Sequence, residues 1–193
     1  MNEVDLPAIT SIFASGSDHQ AEEAAIELAT FGSQNLAVFS QLLIDQRVDV
    51  RWWTVRSLAE INSPEVTPLL LQALKDSDIS VCQCAALALQ RRPDSQAIPA
   101  LIQSLKSPDQ LLARIAGDAL VAAGGDAVPA LLEVMQTFPH KARLEAARAL
   151  GLIGDTRAIP ELFKALDGES ALLEHWAGEG LEKMGVGMVF YTP

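Results

Sequence analysis

The side chains that could carry chemistry are few and scattered. Cys82 and Cys84 lie in VCQCAAL, a stretch with no glycine or proline that reads as helix. Two residues apart on a helix project about 200° from each other. That geometry suits neither a disulfide nor a shared metal ion. The histidines His19, His140 and His175 are far apart, and no pair has the spacing of a metal site or a catalytic triad. Gly124 and Gly125 fall where a helix is expected to end, the usual place for a capping glycine, and no glycine-rich phosphate loop occurs. No residue is assigned a catalytic role and no metal site is expected. The unusual feature is aromatic: RWWTVRSLAEI, residues 51–61, places Trp52 beside Trp53 in another helical stretch. Neighbours on a helix diverge by about 100°, so one narrow apolar stripe has trouble taking both rings.

Composition bounds what these residues could do. The 193-residue chain is 49% hydrophobic and 20% charged, the balance of an ordered globular protein. Aromatic residues make up only 5%, and alanine and leucine dominate, which favours helix over sheet. The net charge of −11 argues against nucleic acid, because neutralising phosphates needs clustered lysine and arginine. No uncharged apolar stretch approaches the roughly 20 residues that cross a bilayer. The opening MNEVDLPAIT carries Glu3 and Asp5 and no basic region, so it does not read as a signal peptide. A cytoplasmic location is expected, and two cysteines fit a reducing compartment.

The elements that must position these residues are repeated. Prolines stand at Pro68, Pro99, Pro129 and Pro160, spaced 31, 30 and 31. The same interval steps back to Ala37 and Pro7, and each position opens a similar phrase: PAITSIF, AVFSQLL, PLLLQAL, PALIQSL, PALLEVM, PELFKAL. Each phrase reads as one face of a helix with proline in its first turn, where the missing N–H costs nothing. A second ladder runs in step: Leu28, Leu58, Leu89, Leu120, Leu150 and Leu181. Small residues stand three and four places before each leucine. Turn signals such as SPEVT, RRPDSQAI, GGDAV and GDTRAI separate the ladders. The unit is therefore helix A, turn, helix B, turn. Six such units are expected, at about 7–36, 37–67, 68–98, 99–128, 129–159 and 160–185, in a single domain spanning 1–193 with an apolar tail at 186–193. Neither helix can bury its stripe alone, but stacked neighbours can.

The unit HKARLEAARALGLIGDTRAIPELFKAL resembles the HEAT-like repeat of the phycobilisome-lyase type. Arg143, Ala146, Ala147, Ala149, Leu150, Gly151, Ile153, Gly154, Asp155, Ala158 and Pro160 carry the match. Cys82, Ala113 and Glu174 replace the pattern's arginine in the third, fourth and sixth units. The resemblance implies an all-α fold, a right-handed α–α superhelix of about six helix pairs, with helix B lining its concave side. It implies roles from protein-gripping adaptor to subunit of an enzyme that attaches or detaches bilins.

Counting from each ladder leucine as zero, positions −3, −4 and −7 share its face, while −2, −5 and −6 point away. The away-facing set holds all three tryptophans. Trp52, Trp53, Arg56, Leu87, Ile115, Leu144, Arg148, His175 and Trp176 are therefore expected to form a partner-contact surface in the groove, mixing aromatic, apolar and arginine side chains as interfaces do. The leading expectation is an adaptor that binds another protein and needs no cofactor. The alternative is a bilin lyase subunit or bilin-binding relative, in which Arg56 or Arg148 would meet propionates. A third reading, an adaptor in iron–sulfur or other metal cofactor assembly, rests on Cys84, expected in the groove while Cys82 is buried. The apolar stretch Val186–Tyr191 is expected to fold back over the last repeat or to pair with the same tail of a second molecule.

Overall fold

The computed structural model describes residues 5–167 and 170–186, and every regular element among them is helical. Among the described residues twelve α-helices run in six pairs, as the two ladders predict. They are α1 (Leu6–Ser15), α2 (Asp18–Thr30), α3 (Leu36–Leu42), α4 (Val48–Leu58), α5 (Thr67–Ala73), α6 (Ile79–Arg91), α7 (Ile98–Ser104), α8 (Gln110–Ala123), α9 (Val128–Thr137), α10 (His140–Ile153), α11 (Ile159–Leu166) and α12 (Ala171–Lys183). Proline occupies the first turn of α1, α5, α7, α9 and α11. Ser17 opens α2 with a capping box, its hydroxyl accepting from the Gln20 N–H while the Gln20 side chain accepts from the Ser17 N–H.

The helices gather into two compact units, residues 1–94 and 95–193. In the first, α4 packs against α2, its own helix A and α6. Its core holds Phe13, Leu28, Phe39, Val55, Leu58, Leu70 and Leu89. A buried ion pair ties the second helix pair to the third. The Arg51 guanidinium donates twice to the Asp76 carboxylate, at 2.7 and 2.8 Å, and also to the Asp45 carbonyl at 2.9 Å. This fork geometry matches a carboxylate bidentately. Thr67 Oγ1 donates to Asp94 at 2.7 Å, and Arg92 reaches the carbonyls of Leu58 and Ala59 at the end of α4.

In the second unit α10 packs against α8, α9 and α12. Leu101, Leu120, Leu131, Leu150 and Leu162 are fully buried. The packing of α10 on α12 is backbone to backbone. A Cβ added at Gly151 would lie 2.9 Å from the Gly180 Cα, and one added at Gly180 would lie 2.7 Å from the Gly151 Cα. Gly154 closes α10 at φ 71°, a left-handed residue that favours glycine. Val186 N–H reaches the Leu181 carbonyl at 2.9 Å. The rest of the apolar tail, 187–191, expected to fold back or to dimerise, lies outside the described residues.

Two predictions follow from this packing. Gly151→Ala and Gly180→Ala should each cost about 1–3 kcal/mol, because the clash is with backbone. Gly178→Ala should be neutral or stabilising, since its nearest contact is Leu166 Cδ2 at 4.0 Å and alanine favours helix. Urea denaturation of the three variants checks the contrast. In acid, the Asp45 carboxyl titrates at about 2, held low first by its hydrogen bond from Arg47 and further by Arg51. Burial alone would raise the Asp76 carboxyl, but its bonds from Arg51 and neighbouring donors bring it below the usual range. Both folded values are depressed, so their stabilisation is complete above about pH 4 and is lost as pH falls toward 2. The urea midpoint should drop across that window, and Asp45→Asn should flatten the drop.

Candidate functional site

Helix B buries the ladder leucines with the small residues before them, and this aims the remaining positions outward. In α4, Thr54, Val55, Ser57 and Leu58 are buried, while Trp52, Trp53 and Arg56 are half-buried. The two rings adopt different roles. Trp53 stacks on the buried Phe13 of α1 at a centroid distance of 6.3 Å, with 24° between the ring planes. Trp52 stands edge-on to Trp53 at 4.8 Å and 87°, a favourable aromatic arrangement. Trp53 therefore belongs partly to the core. Trp52 is supported by it and has no other ring contact among the described residues.

Around the rings runs a chain of charges. Arg56 reaches back to Glu22 on α2 and forward to Glu60, which also accepts from Arg91 at 3.2 Å. Burial works against the Arg56 charge, but the carboxylates of Glu60 and Glu22 outweigh it and raise its pKa. Ile26 on α2 and Leu87 on α6 stand at the same register position as Arg56, 51% and 46% exposed. In the second unit the corresponding face holds Trp176 and His175, tilted against each other at 5.1 Å. The Arg114 guanidinium lies 5.9 Å from the Trp176 ring, at the outer range of a cation–π contact. His175 is exposed, and Leu144 and Trp176 are half-buried.

Three expected positions are corrected. Ile115 is only 7% exposed and Cys84 only 8%, so neither offers a contact surface. Both stand at −5. Each helix B is packed by its own helix A and by a neighbouring helix B, so on α6 and α8 the buried sector is wider than one stripe and takes in this position. Burial pushes the Cys84 thiol up to about 11 despite the Arg56 charge nearby, so it offers no thiolate at neutral pH. Cys82 is buried as expected, and burial raises its pKa too. Arg148, placed by the register on the contact surface, is 2% exposed. It donates to Asp118 at 2.7 Å, to Glu145 at 2.9 Å and to the Arg114 carbonyl at 3.3 Å. Its guanidinium fills space left by Gly117, where an added Cβ would lie 2.9 Å from Arg148 Nη2. This residue ties α8 to α10. Sequence reasoning also missed the Glu22–Arg56 bridge, because its partners lie 34 residues apart.

Among the described residues no group of three or more His, Cys, Asp or Glu is placed to hold a metal ion, and no helix is long and apolar enough to cross a membrane. What the outward face offers is contact area with charge around it.

Known proteins resemble the chain in this architecture. A family model for HEAT repeats matches residues 6–83 and 36–121, and the model for the PBS lyase HEAT-like repeat matches 142–168. A phycocyanobilin lyase subunit beta from Pseudanabaena tenuis (strain PCC 7409) is 34% identical over 104 residues, 53% of this chain. The match spans only 37% of that protein's length. The archaeal HEAT-like repeats protein from Thermococcus onnurineus NA1 superposes with a TM-score of 0.65 at 17% identity, over 98% of this chain and 84% of that one. The CpcE–CpcF complex of phycocyanin lyase from Nostoc sp. PCC7120 gives a TM-score of 0.52 at 22% identity, over 96% and 79%.

Arg148→Ala should destabilise the protein by about 1–3 kcal/mol, since Asp118 and Glu145 lose their shared cation but keep partial access to water. Arg148→Met, which keeps packing volume, should cost as much or nearly so, because the carboxylates lose the same partner. Thermal or urea denaturation checks both. A near-neutral result for both would show that the Arg148 ion pairs add no net stability between α8 and α10.

Proposed function

The chain belongs to the HEAT-repeat family, and we propose that it is a protein-binding adaptor whose helix-B face grips a segment of another protein. The observation that carries this reading is the Trp52 ring, with the exposed Ile26 and Leu87 at the away-facing positions of neighbouring helices. Large apolar and aromatic side chains beside arginines are the composition of interface anchors.

A second reading, a bilin lyase subunit or bilin-binding relative, is supported by the 34% identity to a phycocyanobilin lyase subunit. Its residue-level basis is weaker than the register suggests. A bilin would be the substrate, and its propionates need cations. Arg148 is buried between Asp118 and Glu145, and Arg56 is held between Glu22 and Glu60. Both are already neutralised by carboxylates, so a propionate would have to displace them. The metal-assembly reading loses its donor with the burial of Cys84.

The test is capture from native lysate with wild-type protein and with Trp52→Ala. Truncating an aromatic anchor commonly costs 2 kcal/mol or more, about thirtyfold in affinity. Trp52→Ala should therefore lose the captured partner while its melting temperature stays within a few degrees of wild type. Trp53→Ala is the control with a different expectation: it removes the ring stacked on Phe13 and should lower stability. Unchanged capture by folded Trp52→Ala would sink the adaptor reading at this face. In parallel, phycocyanobilin is mixed with both proteins and its visible absorbance recorded. A shift seen with wild type and lost in Trp52→Ala would move the assignment to the second reading.

A further inference from the structure

The helix-B face of the first unit carries a charge pattern that selects what could cover it. No lysine or arginine precedes Arg47 in the chain. Helix α2 therefore presents Asp18, Glu22, Glu23 and Glu27 with no lysine or arginine of its own. Glu22 and Glu23 stand at −6 and −5, and the exposed Ile26 lies one turn along the same face. Among the described residues, the arginine that α4 sends to α2 is Arg56, which divides its charge between Glu22 and Glu60. Glu60 is shared in turn with Arg91. Glu23 meets only the His19 imidazole, at 3.5 Å, among the described residues. Glu22, Arg56, Glu60 and Arg91 balance one another, so the surface is apolar at Ile26 and Trp52 and its excess of acid lies on α2, at Glu23 with Asp18 and Glu27.

We propose that this surface takes a basic, amphipathic segment of the partner, with lysine or arginine side chains opposite Glu23 and its neighbours and apolar side chains on Ile26 and Trp52. The inference rests on the adaptor reading and names the chemistry of what the adaptor holds. A second copy of this chain is the wrong occupant, since each copy carries −11 and would bring carboxylates to carboxylates. Nucleic acid is repelled for the same reason. The division of labour is physical. Exposed charge pairs add little affinity each, so the apolar anchors hold the segment, while charge sets its identity and its rate of encounter.

The test uses the purified full chain and three short peptides: alternating lysine and leucine, alternating glutamate and leucine, and alternating lysine and serine. Binding is read by tryptophan fluorescence and calorimetry. The lysine–leucine peptide should bind, and raising salt from about 50 to about 500 mM should weaken it as screening shortens. Ile26→Asp should weaken binding about tenfold and Glu23→Lys about threefold, with unchanged melting temperatures. Glu133→Lys, exposed on α9 of the second unit, should change nothing. The proposal is overturned if the glutamate–leucine peptide binds as well, if the lysine–leucine peptide fails to bind, or if Glu133→Lys weakens it as much as Glu23→Lys. That last outcome would mean attraction to net charge alone, as would equal binding of the lysine–serine peptide. If Trp52-dependent capture from lysate persists while the lysine–leucine peptide fails, the adaptor reading stands and the basic occupant falls. If the capture itself is independent of Trp52, the adaptor reading falls first.

Discussion

Helix B can be surrounded only because its inner face is small. The places three and four before each ladder leucine hold alanine or glycine in five of the six repeats, with Thr54 and Val55 in the second. That lets a helix A and neighbouring B helices approach on several sides at once. The limit is reached at Gly151 and Gly180, where two backbones meet with no room for a methyl group. Leucine supplies the buried area and the small residues supply the distance at which it can be buried. Everything else in the structure is placed by that approach, including the column of outward side chains that could contact a partner.

Close approach also changes what the outward positions are. A helix packed on one side exposes most of its circumference, whereas one packed by its own helix A and a neighbouring helix B, as α6 and α8 are, exposes a narrower strip. Ile115 and Cys84 sit at the edge of that strip and are taken inside. Charged groups caught there must be paired, because an uncompensated buried charge is costly. Arg148 answers this with Asp118, Glu145 and a carbonyl, and Arg51 with Asp76 and the Asp45 carbonyl. These two arginines act as ties between successive helix pairs. Arg56, less buried, sits between Glu22 and Glu60, and Glu60 is shared with Arg91, so these four charges balance.

The same geometry explains why Trp52 and Trp53 can stand side by side. Trp53 turns toward α1 and is received by Phe13, and Trp52 leans edge-on against it. One ring serves as a support and the other as a surface. A rigid aromatic already held by its neighbour loses little conformational freedom on binding, which suits an anchor.

The helix pairs, their number, their order and the buried ladder are legible in the residues alone. Those follow from local periodicity, from proline in first turns and from small residues at fixed offsets, all of which recur every 30 or 31 residues. The sequence also placed Trp52, Leu87 and His175 on an outward face, because a helical wheel needs only one turn's geometry. How wide that face is, and which charges on it are already paired, follows from the packing of helices on one another. The burial of Ile115, Cys84 and Arg148 depends on the distance to neighbouring helices, and a wheel drawn for one helix contains no neighbours. The bridge from Arg56 to Glu22 and the space that Gly117 leaves for Arg148 join residues about one repeat apart. Such pairings are set by the offset between stacked helices, a quantity that no single repeat encodes.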